Sequence, residues 1–579
     1  MLKDCLEIFN EEMKRAKEKT GEEERLILDR YIPKDGDYLI VGENGEIRSH
    51  TIIKLDRKIG RLEQTPPPEL LFYDYHSSLI NTDKAVDSKK TIHSNNYYSF
   101  FVQWDSLENG KLDEEAIDRY FDALKEPEKK YKNKDRKMYV YVAEQLEEIE
   151  ETVLESHREW IKKHIFSLDK TGMSEKNYLK IFFEAEKESY LNEDKRYLMT
   201  KLYNKNEYNI LVKNQILGLP NDNLGLNAKK PYLEHKTRKM AVPYLVSPEE
   251  ALRQKLFFDY LMNFANAGMN DIFFDYGEQK VYPQKRGEIP SKDFSGYFLQ
   301  IRKTKKELQI IHQDVVVDFR CKLKKKFVYR NVLQLEDKEE RYKNYRSKEE
   351  LQNVLHEILF SKYLKQNYFT PQEDIPVDGK LKKTLLWSRG SIFSWIYNGK
   401  EDGMKHIMHM VCRDMLQNSI QNGYTAKMGQ QFNLMCSLDE YFGGENMEET
   451  YQTIRNKLRE KINSKEDNLI ESDAEFAYAA GQLVNYFISL SKTNEKKHSL
   501  ANPFFSITDG EMMKKKLNQY FIKYDYAIDK TKAVRFNRLY SMVLHYDMNG
   551  KIIQESVIAG YISNSLIYES NKQNAEEGK

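Results

Sequence analysis

The sequence contains little cysteine and none of the short motifs that assign a catalytic chemistry. Its four cysteines, Cys5, Cys321, Cys412 and Cys436, form no Cys-x-x-Cys pair, so neither a zinc knuckle nor a disulfide framework is indicated. A phosphate-binding loop, a dinucleotide-binding glycine motif, a nucleophile elbow and a His-Glu-x-x-His motif are also absent from the sequence. We therefore expect no enzyme activity, no cofactor and no metal. Scattered catalytic residues would leave no such motif.

Charge of one sign is not in excess either. The 579 residues include 92 Lys and Arg against 91 Asp and Glu, a net charge of +1. Global charge therefore says nothing about a polyanionic partner, because phosphate binding depends on where cations cluster. The hydrophobic content of 40% and the aromatic content of 12% permit several cores, and the length suits three or four domains.

Long apolar runs are missing as well. No uninterrupted apolar segment in the sequence reaches the roughly 20 residues that cross a bilayer. The first residues, Met1–Glu7, lack a basic region followed by an apolar stretch, so they do not resemble a signal peptide. We expect a cytoplasmic protein without a membrane partner.

The pattern of hydrophobic residues predicts an α+β protein in which mixed α/β regions precede a C-terminal all-α bundle. Alternating apolar residues and turn signals mark strands before about residue 345, and helical periodicity prevails after it. The predicted segments are an N-terminal mixed α/β domain at 1–112, a charged helical region at 113–215, a middle mixed α/β domain at 216–345 and a C-terminal helical bundle at 346–579.

Three elements are predicted most clearly. Asn44-Gly45 separates two strand-like runs, Tyr38–Val41 and Ile47–Leu55, and this dipeptide is the strongest short-range hairpin signal. Further strand-like runs are Asp271–Phe274, Tyr297–Ile301 and Asp314–Phe319. Near the C-terminus an apolar stripe from Phe476 to Leu490 predicts a helix, and small residues around Gly481 would allow a neighbouring helix to approach closely. Further helices are predicted near Gly510–Tyr524, Ala533–Tyr546 and Lys551–Tyr568.

Three segments combine cations with amides and aromatic residues, the mixture that nucleic-acid contacts use. They are Lys89–Phe101, Asn221–Lys239 and the basic stretch from Lys514 to Arg538. Each has a structural alternative: Ile92, Tyr98 and Phe100 would suit the core side of an edge strand, and the other two segments would suit solvated loops and helix faces.

The same segments carry a resemblance to a known family, the large subunit of type I-B CRISPR Cascade (the Csh family of CRISPR-associated proteins). In chain order the resemblance rests on Asp29–Val41, Lys89–Phe101, Asn227–Ala251, Phe476–Pro503 and Arg535–Arg538. The third segment, NAKKPYLEHKTRKMAVPYLVSPEEA, is the most distinctive. Together these segments extend over nearly the whole chain, with weak similarity between them.

The resemblance implies a non-catalytic subunit near the 5′ handle of the CRISPR RNA. Such a subunit recognises the protospacer-adjacent motif on duplex DNA, helps to form the R-loop and recruits a separate helicase–nuclease. Guide pairing reads the target, so the protein itself needs only a short direct readout and backbone contacts. The implied partners are CRISPR RNA, target double-stranded DNA, the Cascade backbone and small subunits, and the helicase–nuclease.

Roles for individual residues are hypotheses that follow from this resemblance. Contacts to the adjacent motif are assigned to Asn223, Asn227, Lys229, Lys230 and Arg238, with the two asparagines on base edges in a groove left undecided. Contacts to the RNA handle or the opened strand are assigned to Lys89, Lys90, His93 and Asn96. Contacts to the backbone of the displaced strand are assigned to Lys514, Lys515, Lys516, Lys523, Arg535 and Arg538.

The resemblance also implies that the C-terminal bundle is similar to the small Cascade subunit, which can be made from an internal start. Met428, Met435 and Met447 are candidates for that start, and the protein sequence does not choose among them. Two other classes of function stay open. One is a helical scaffold or adaptor that binds only protein, and the other is a metal-dependent nuclease with scattered ligands.

Overall fold

The computed structural model confirms the predicted α+β class: it has 52% helix and 16% strand, and the described strands all precede the C-terminal helical region. The structure describes residues 2–56, 61–80, 82–131, 133–171, 174–203, 206, 209–219, 245–304, 307–377, 379–491 and 498–569. The chain forms two compact units, Met1–Arg286 with Ser295–Val315, and Gly287–Phe294 with Val316–Lys579. The boundaries predicted near residues 112, 215 and 345 stay predictions.

The first unit contains nine described α-helices and most of the described strands. The helices are α1 (Leu2–Thr20), α2 (Arg25–Leu28), α3 (Pro68–Ser77), α4 (Trp104–Glu108), α5 (Glu114–Lys125), α6 (Asn133–Ala143), α7 (Glu151–His164), α8 (Lys187–Leu198) and α9 (Pro248–Asn266). The strands are β1 (Gly36–Val41), β2 (Ile47–Ile53), β3 (Leu55–Asp56), β4 (Arg61–Leu62), β5 (Ser99–Gln103), β6 (Tyr178–Phe183), β7 (Ile210–Val212), β8 (Gln215–Leu217), β9 (Met269–Asp275), β10 (Lys280–Lys285), β11 (Phe294–Lys303) and β12 (Leu308–Phe319). Strand β11 begins in the second unit, at Phe294, and β12 ends in that unit, at Phe319.

One four-stranded sheet has the order β2-β1-β6-β5. The predicted hairpin is confirmed, since β1 and β2 pair antiparallel and Gly45 takes a φ of 79° in the turn between them. Its central strand β6 runs parallel to β1 and antiparallel to β5, and it lies inside a region whose charge pattern had predicted only helix. The strand carries Lys180 in its middle, which is buried and ion-paired with the buried Asp74 of α3. The ion pair offsets the cost of burying a charged side chain, so a lysine can occupy a core strand.

The second four-stranded sheet has the order β10-β9-β11-β12. It confirms the three predicted strands at Asp271–Phe274, Tyr297–Ile301 and Asp314–Phe319, which fall inside β9, β11 and β12. One hydrophobic core extends from Leu28 to Ala251 around the first sheet, and another joins α1 and α9 to the second sheet. Residues far apart in the chain therefore share each core.

The second unit contains one small hairpin followed by helices. The hairpin strands are β13 (Lys322–Val328) and β14 (Asn344–Ser347). The helices are α10 (Lys348–Val354), continued by a π-helical turn at Leu355–Leu359, then α11 (Gly379–Asn398), α12 (Met404–Asn422), α13 (Thr425–Tyr441), α14 (Met447–Asn463), α15 (Asp473–Ser489), α16 (Gly510–Tyr524), α17 (Ala533–His545) and α18 (Gln554–Ile562). The last helix is shorter than predicted.

The predicted close approach at Gly481 is confirmed. A Cβ on Gly481 of α15 would lie 2.1 Å from the carbonyl oxygen of Val557, and one on Gly560 of α18 would lie 2.0 Å from that of Tyr478. Glycine is required because the two backbones meet there without room for a side chain. Asn485 adds a hydrogen bond across the same interface, from Nδ2 to the carbonyl oxygen of Tyr561 at 2.7 Å.

Candidate nucleic-acid interface

Helix α16 buries one side in the C-terminal bundle. Asp509 caps its N-terminus by accepting a hydrogen bond from the backbone N–H of Met512. Met513, Leu517 and Tyr524 recur at helical spacing and are buried. This packing fixes which side of the helix faces solvent.

The outward side of α16 is here termed the α16 lysine face. Because residues three, four and seven positions apart share one side of a helix, it carries Met512, Lys515, Lys516, Gln519, Ile522 and Lys523. Lys515, Gln519 and Lys523 are exposed and Lys516 is half-buried. From Lys515 to Lys523 the helix rises about 12 Å, close to the axial length of three to four stacked nucleotides at about 3.4 Å each.

The three lysines of this face differ from their neighbour Lys514 in their ion pairs. Lys514 is buried between Glu511 and Asp547, at 2.8 and 3.4 Å, and these ion pairs raise its pKa although burial acts in the other direction. Within the described residues, no carboxylate lies at ion-pair distance from Lys515, Lys516 or Lys523. Their charges are therefore available to an outside anion, whereas that of Lys514 is already balanced.

Tyrosine rings hold two of these lysines in place. The Nζ atoms of Lys516 and Lys523 lie 5.9 and 5.8 Å from the centre of the Tyr520 ring, and Lys523 lies 5.0 Å from that of Tyr524. These distances are within the range of a cation–π attraction. The helical turn after α16 adds Tyr526, whose side chain is 67% exposed. An exposed aromatic ring is suited to stacking on an unpaired base.

Arg535 and Arg538 of α17 are engaged inside the protein. Arg535 donates a hydrogen bond to the carbonyl oxygen of Glu569, and Arg538 donates one to that of Ile462 at 3.0 Å. Of the six residues assigned to the displaced strand, Lys515, Lys516 and Lys523 have no described carboxylate partner. Lys514 is ion-paired, and Arg535 and Arg538 are hydrogen-bonded to carbonyl oxygens. Sequence reasoning missed Gln519, Ile522 and Tyr526, although the helical period counted from Lys515 places the first two on the same face.

The segment from Lys89 to Asn96 lies in the first unit. Lys89 and Lys90 are exposed, and Lys90 forms an ion pair with Asp83 at 3.0 Å. The loop is held by Asp87, whose carboxylate accepts from the backbone N–H groups of Lys89 and Thr91. These two lysines remain exposed cations in a well-defined loop.

His93 and Asn96 are satisfied by protein partners. His93 Nε2 donates to the carbonyl oxygen of Lys90 at 2.9 Å and Nδ1 accepts from Tyr178 Oη at 3.0 Å. Burial lowers the pKa of His93, so it carries less positive charge at neutral pH than an exposed histidine does. Asn96 is 0% exposed and its amide bonds to His76 and Tyr98. It presents no surface to a nucleic acid in this structure, and the buried Tyr98 also fits the edge-strand alternative.

The remaining predicted residues, Asn223, Asn227, Lys229, Lys230 and Arg238, lie outside the described residues. No helix in the described part of the chain is long and apolar enough to cross a membrane. Among the same residues, no group of three or more His, Cys, Asp or Glu side chains is arranged to hold a metal ion.

Comparisons with known proteins found no match: no family model, no curated protein and no solved structure matches this chain.

Proposed function

We propose that this chain is a non-catalytic nucleic-acid-binding protein, the large subunit of a type I-B CRISPR surveillance complex. The observation that carries nucleic-acid binding is the α16 lysine face, three lysines without described carboxylate partners along about 12 Å of helix. The assignment to Cascade, with its PAM recognition, R-loop formation and nuclease recruitment, is supported by the sequence resemblance alone.

On this proposal the α16 lysine face follows the backbone of a single strand. The lysines attract phosphates without reading sequence, and Tyr526 offers a ring for stacking. Lys89 is a further exposed lysine, in the first unit, and its exposed neighbour Lys90 is paired with Asp83.

Salt dependence tests the binding face directly. In the variant Lys515→Gln/Lys516→Gln/Lys523→Gln we expect weaker binding of a single-stranded oligonucleotide. The slope of log affinity against log salt should become less steep by roughly 2, since each phosphate contact on a single strand contributes about 0.7. The measurement is fluorescence polarisation of a labelled oligonucleotide at several salt concentrations.

The matched control replaces three exposed lysines elsewhere in the second unit, Lys383, Lys405 and Lys465, with glutamine. It removes the same formal charge and should leave the slope within error of the wild type. Equal losses in both triple variants would mean that only net charge matters, and the α16 lysine face would not be the site.

The Cascade assignment has its own experiment. The tagged protein is purified gently from its native host and the RNA that comes with it is sequenced. Short RNAs of uniform length, with one constant 5′ end and differing spacers, are the expected result. Absence of both RNA and co-purifying proteins would refute the assignment while leaving the salt experiment unaffected.

A second candidate, a scaffold that binds protein, is favoured by one observation. The α16 lysine face also exposes Met512 and Ile522, at 59% and 68%, and exposed apolar side chains among cations suit a protein partner. If the triple lysine variant leaves oligonucleotide affinity unchanged but Met512→Ser/Ile522→Ser abolishes co-purification of another protein, the scaffold function is correct.

A further inference from the structure

A cavity in the second unit is lined by more cations than carboxylates. It lies where β12 passes into β13, next to the first residue of α10 and the C-terminal end of α11. Its charged lining consists of Arg320, Lys322, Lys324 and Lys348 with Asp318 and Glu401, and Trp395, Ile396 and Asn398 complete the wall. The chain thus brings together cations from segments that are separated in sequence.

Two of the four cations are already neutralised. Arg320 pairs with Asp318 at 3.0 Å and with Asp293 at 3.2 Å, and Lys324 pairs with Glu401 at 3.4 Å. Within the described residues, Lys322 and Lys348 have no carboxylate at ion-pair distance. The positive charge left over therefore belongs to these two lysines.

Lys348 is the unusual member of the set. The residue is only 8% exposed, and its Nζ lies 4.8 Å from the centre of the Phe319 ring. A buried ammonium group normally has an ion partner, because leaving water without one is costly. Lys348 faces an aromatic ring and the cavity, and the carboxylates that attract it, chiefly Glu401, lie beyond ion-pair distance. The cavity is therefore where a missing counter-charge would fit.

Size and charge narrow the class of anion. The cavity measures about 180 Å³, similar to cavities of about 150 Å³ that admit a benzene-sized molecule, and smaller than the roughly 300 Å³ at which pockets for whole drug-sized ligands begin. Two unneutralised lysines match a phosphate monoester, which carries between 1.5 and 2 negative charges at about pH 7. A phosphodiester carries one.

We propose that this cavity binds the phosphate group of a phosphate monoester, with Lys348 and Lys322 as its principal cations. The group is either the terminal phosphate of a nucleic acid strand or that of a small phosphorylated molecule. The inference does not depend on the α16 lysine face, since it uses different residues and a different ligand chemistry.

Proton linkage gives the site a characteristic pH dependence. Burial, with Lys324 adding to it, lowers the pKa of Lys348 to about 8, while Glu401, Asp318 and Asp293 oppose the shift. A bound dianion would favour the protonated lysine. Affinity should thus be highest below pH 8 and fall as the pH rises through that value.

The experiment uses the full chain and three probes. Inorganic phosphate is titrated calorimetrically, and two labelled single-stranded oligonucleotides of one sequence, with a 5′-phosphate or a 5′-hydroxyl, are compared by fluorescence polarisation. We expect phosphate to bind, and the phosphorylated oligonucleotide to bind at least fivefold more tightly than its partner. Lys348→Met and Lys322→Gln should each abolish phosphate binding and this preference, and Lys465→Gln, at an exposed lysine outside the cavity, should keep both.

Each outcome decides a specific point. If phosphate binding requires Lys348 but the two oligonucleotides bind equally, the cavity serves a small phosphorylated molecule and the proposal stands in that form. If phosphate binding and end preference are both absent, or survive in Lys348→Met and Lys322→Gln alike, the proposal is refuted. Lys348→Met should not unfold the chain because it removes an unpaired buried charge, and the exposed Lys322 provides an independent test. The α16 triple variant should retain the end preference.

Discussion

His76 should make the stability of the first unit depend on pH. It is buried in α3, where Nδ1 donates to Asp194 and Nε2 donates to Glu24, both at 2.9 Å. Burial alone would lower the pKa of His76, but the two carboxylates overcome it and raise the pKa to about 9. The folded chain thus keeps a proton that an unfolded histidine releases near pH 6.5.

The direction and size of the effect follow from this difference. Below pH 6.5 both states are protonated and the stabilisation is complete. Between pH 6.5 and about 9 the folded state binds more protons than the unfolded state, so the free energy of unfolding falls as the pH rises. At about 1.4 kcal/mol per pH unit, the His76 contribution that is lost amounts to about 3 kcal/mol.

The assay compares urea unfolding of the wild type and His76→Gln at several pH values from 6 to 9.5. A difference between two proteins is needed because burial lowers the pKa of Lys180 and of Lys201, and these groups titrate with the opposite sign. We expect the stability advantage of the wild type to shrink by about 3 kcal/mol over this range. A constant difference would refute the assignment of the proton to His76. His545→Gln, at an exposed histidine whose hydrogen bonds to described residues all lie within its own helix, should show a constant difference.

Two further predictions concern the C-terminal bundle. Gly481→Ala should destabilise the second unit by about 2 kcal/mol or more, since overpacking typically costs about 1–3 kcal/mol and the new Cβ would meet the backbone of Val557. Gly390→Ala, at an open position inside α11, should instead stabilise the unit by up to about 1 kcal/mol. Urea midpoints that shift in the same direction in both variants would contradict this. An internal start at Met447 should yield a folded helical fragment, because α14 begins there, whereas Met428 and Met435 are buried within α13. Thermal melts of residues 447–579, followed by circular dichroism, measure this. A fragment that melts without a cooperative transition would show that α14–α18 need the preceding helices.

Locally encoded elements were predictable from the sequence. The β1–β2 hairpin depends on Asn44-Gly45, a turn whose conformation is chosen by two adjacent residues. Helix α16 was predicted at its observed bounds, and the apolar spacing that places its lysines outward is visible in the sequence. Such features need only neighbours in the chain, so composition and periodicity suffice to determine them.

Non-local features depended on the tertiary structure. Strand β6 carries a lysine and follows a charged helical stretch, and it becomes a central strand because Asp74, 106 positions earlier, neutralises Lys180. The sequence alone could not distinguish a buried Asn96 from a nucleic-acid-binding one, because its burial arises only in the tertiary structure.

The candidate site divides in the same way. The sequence supplied the basic stretch from Lys514 to Arg538, and the fold decided which cations are free, since Arg535 and Arg538 bond to carbonyl oxygens of distant segments. Lys348 gave no sequence signal, because its position beside Lys322 and its lack of a described carboxylate partner arise only when β13 and β14 pair. Sequence determines where charges lie along the chain, but whether a charge is balanced depends on what the folded chain places within a few ångströms of it.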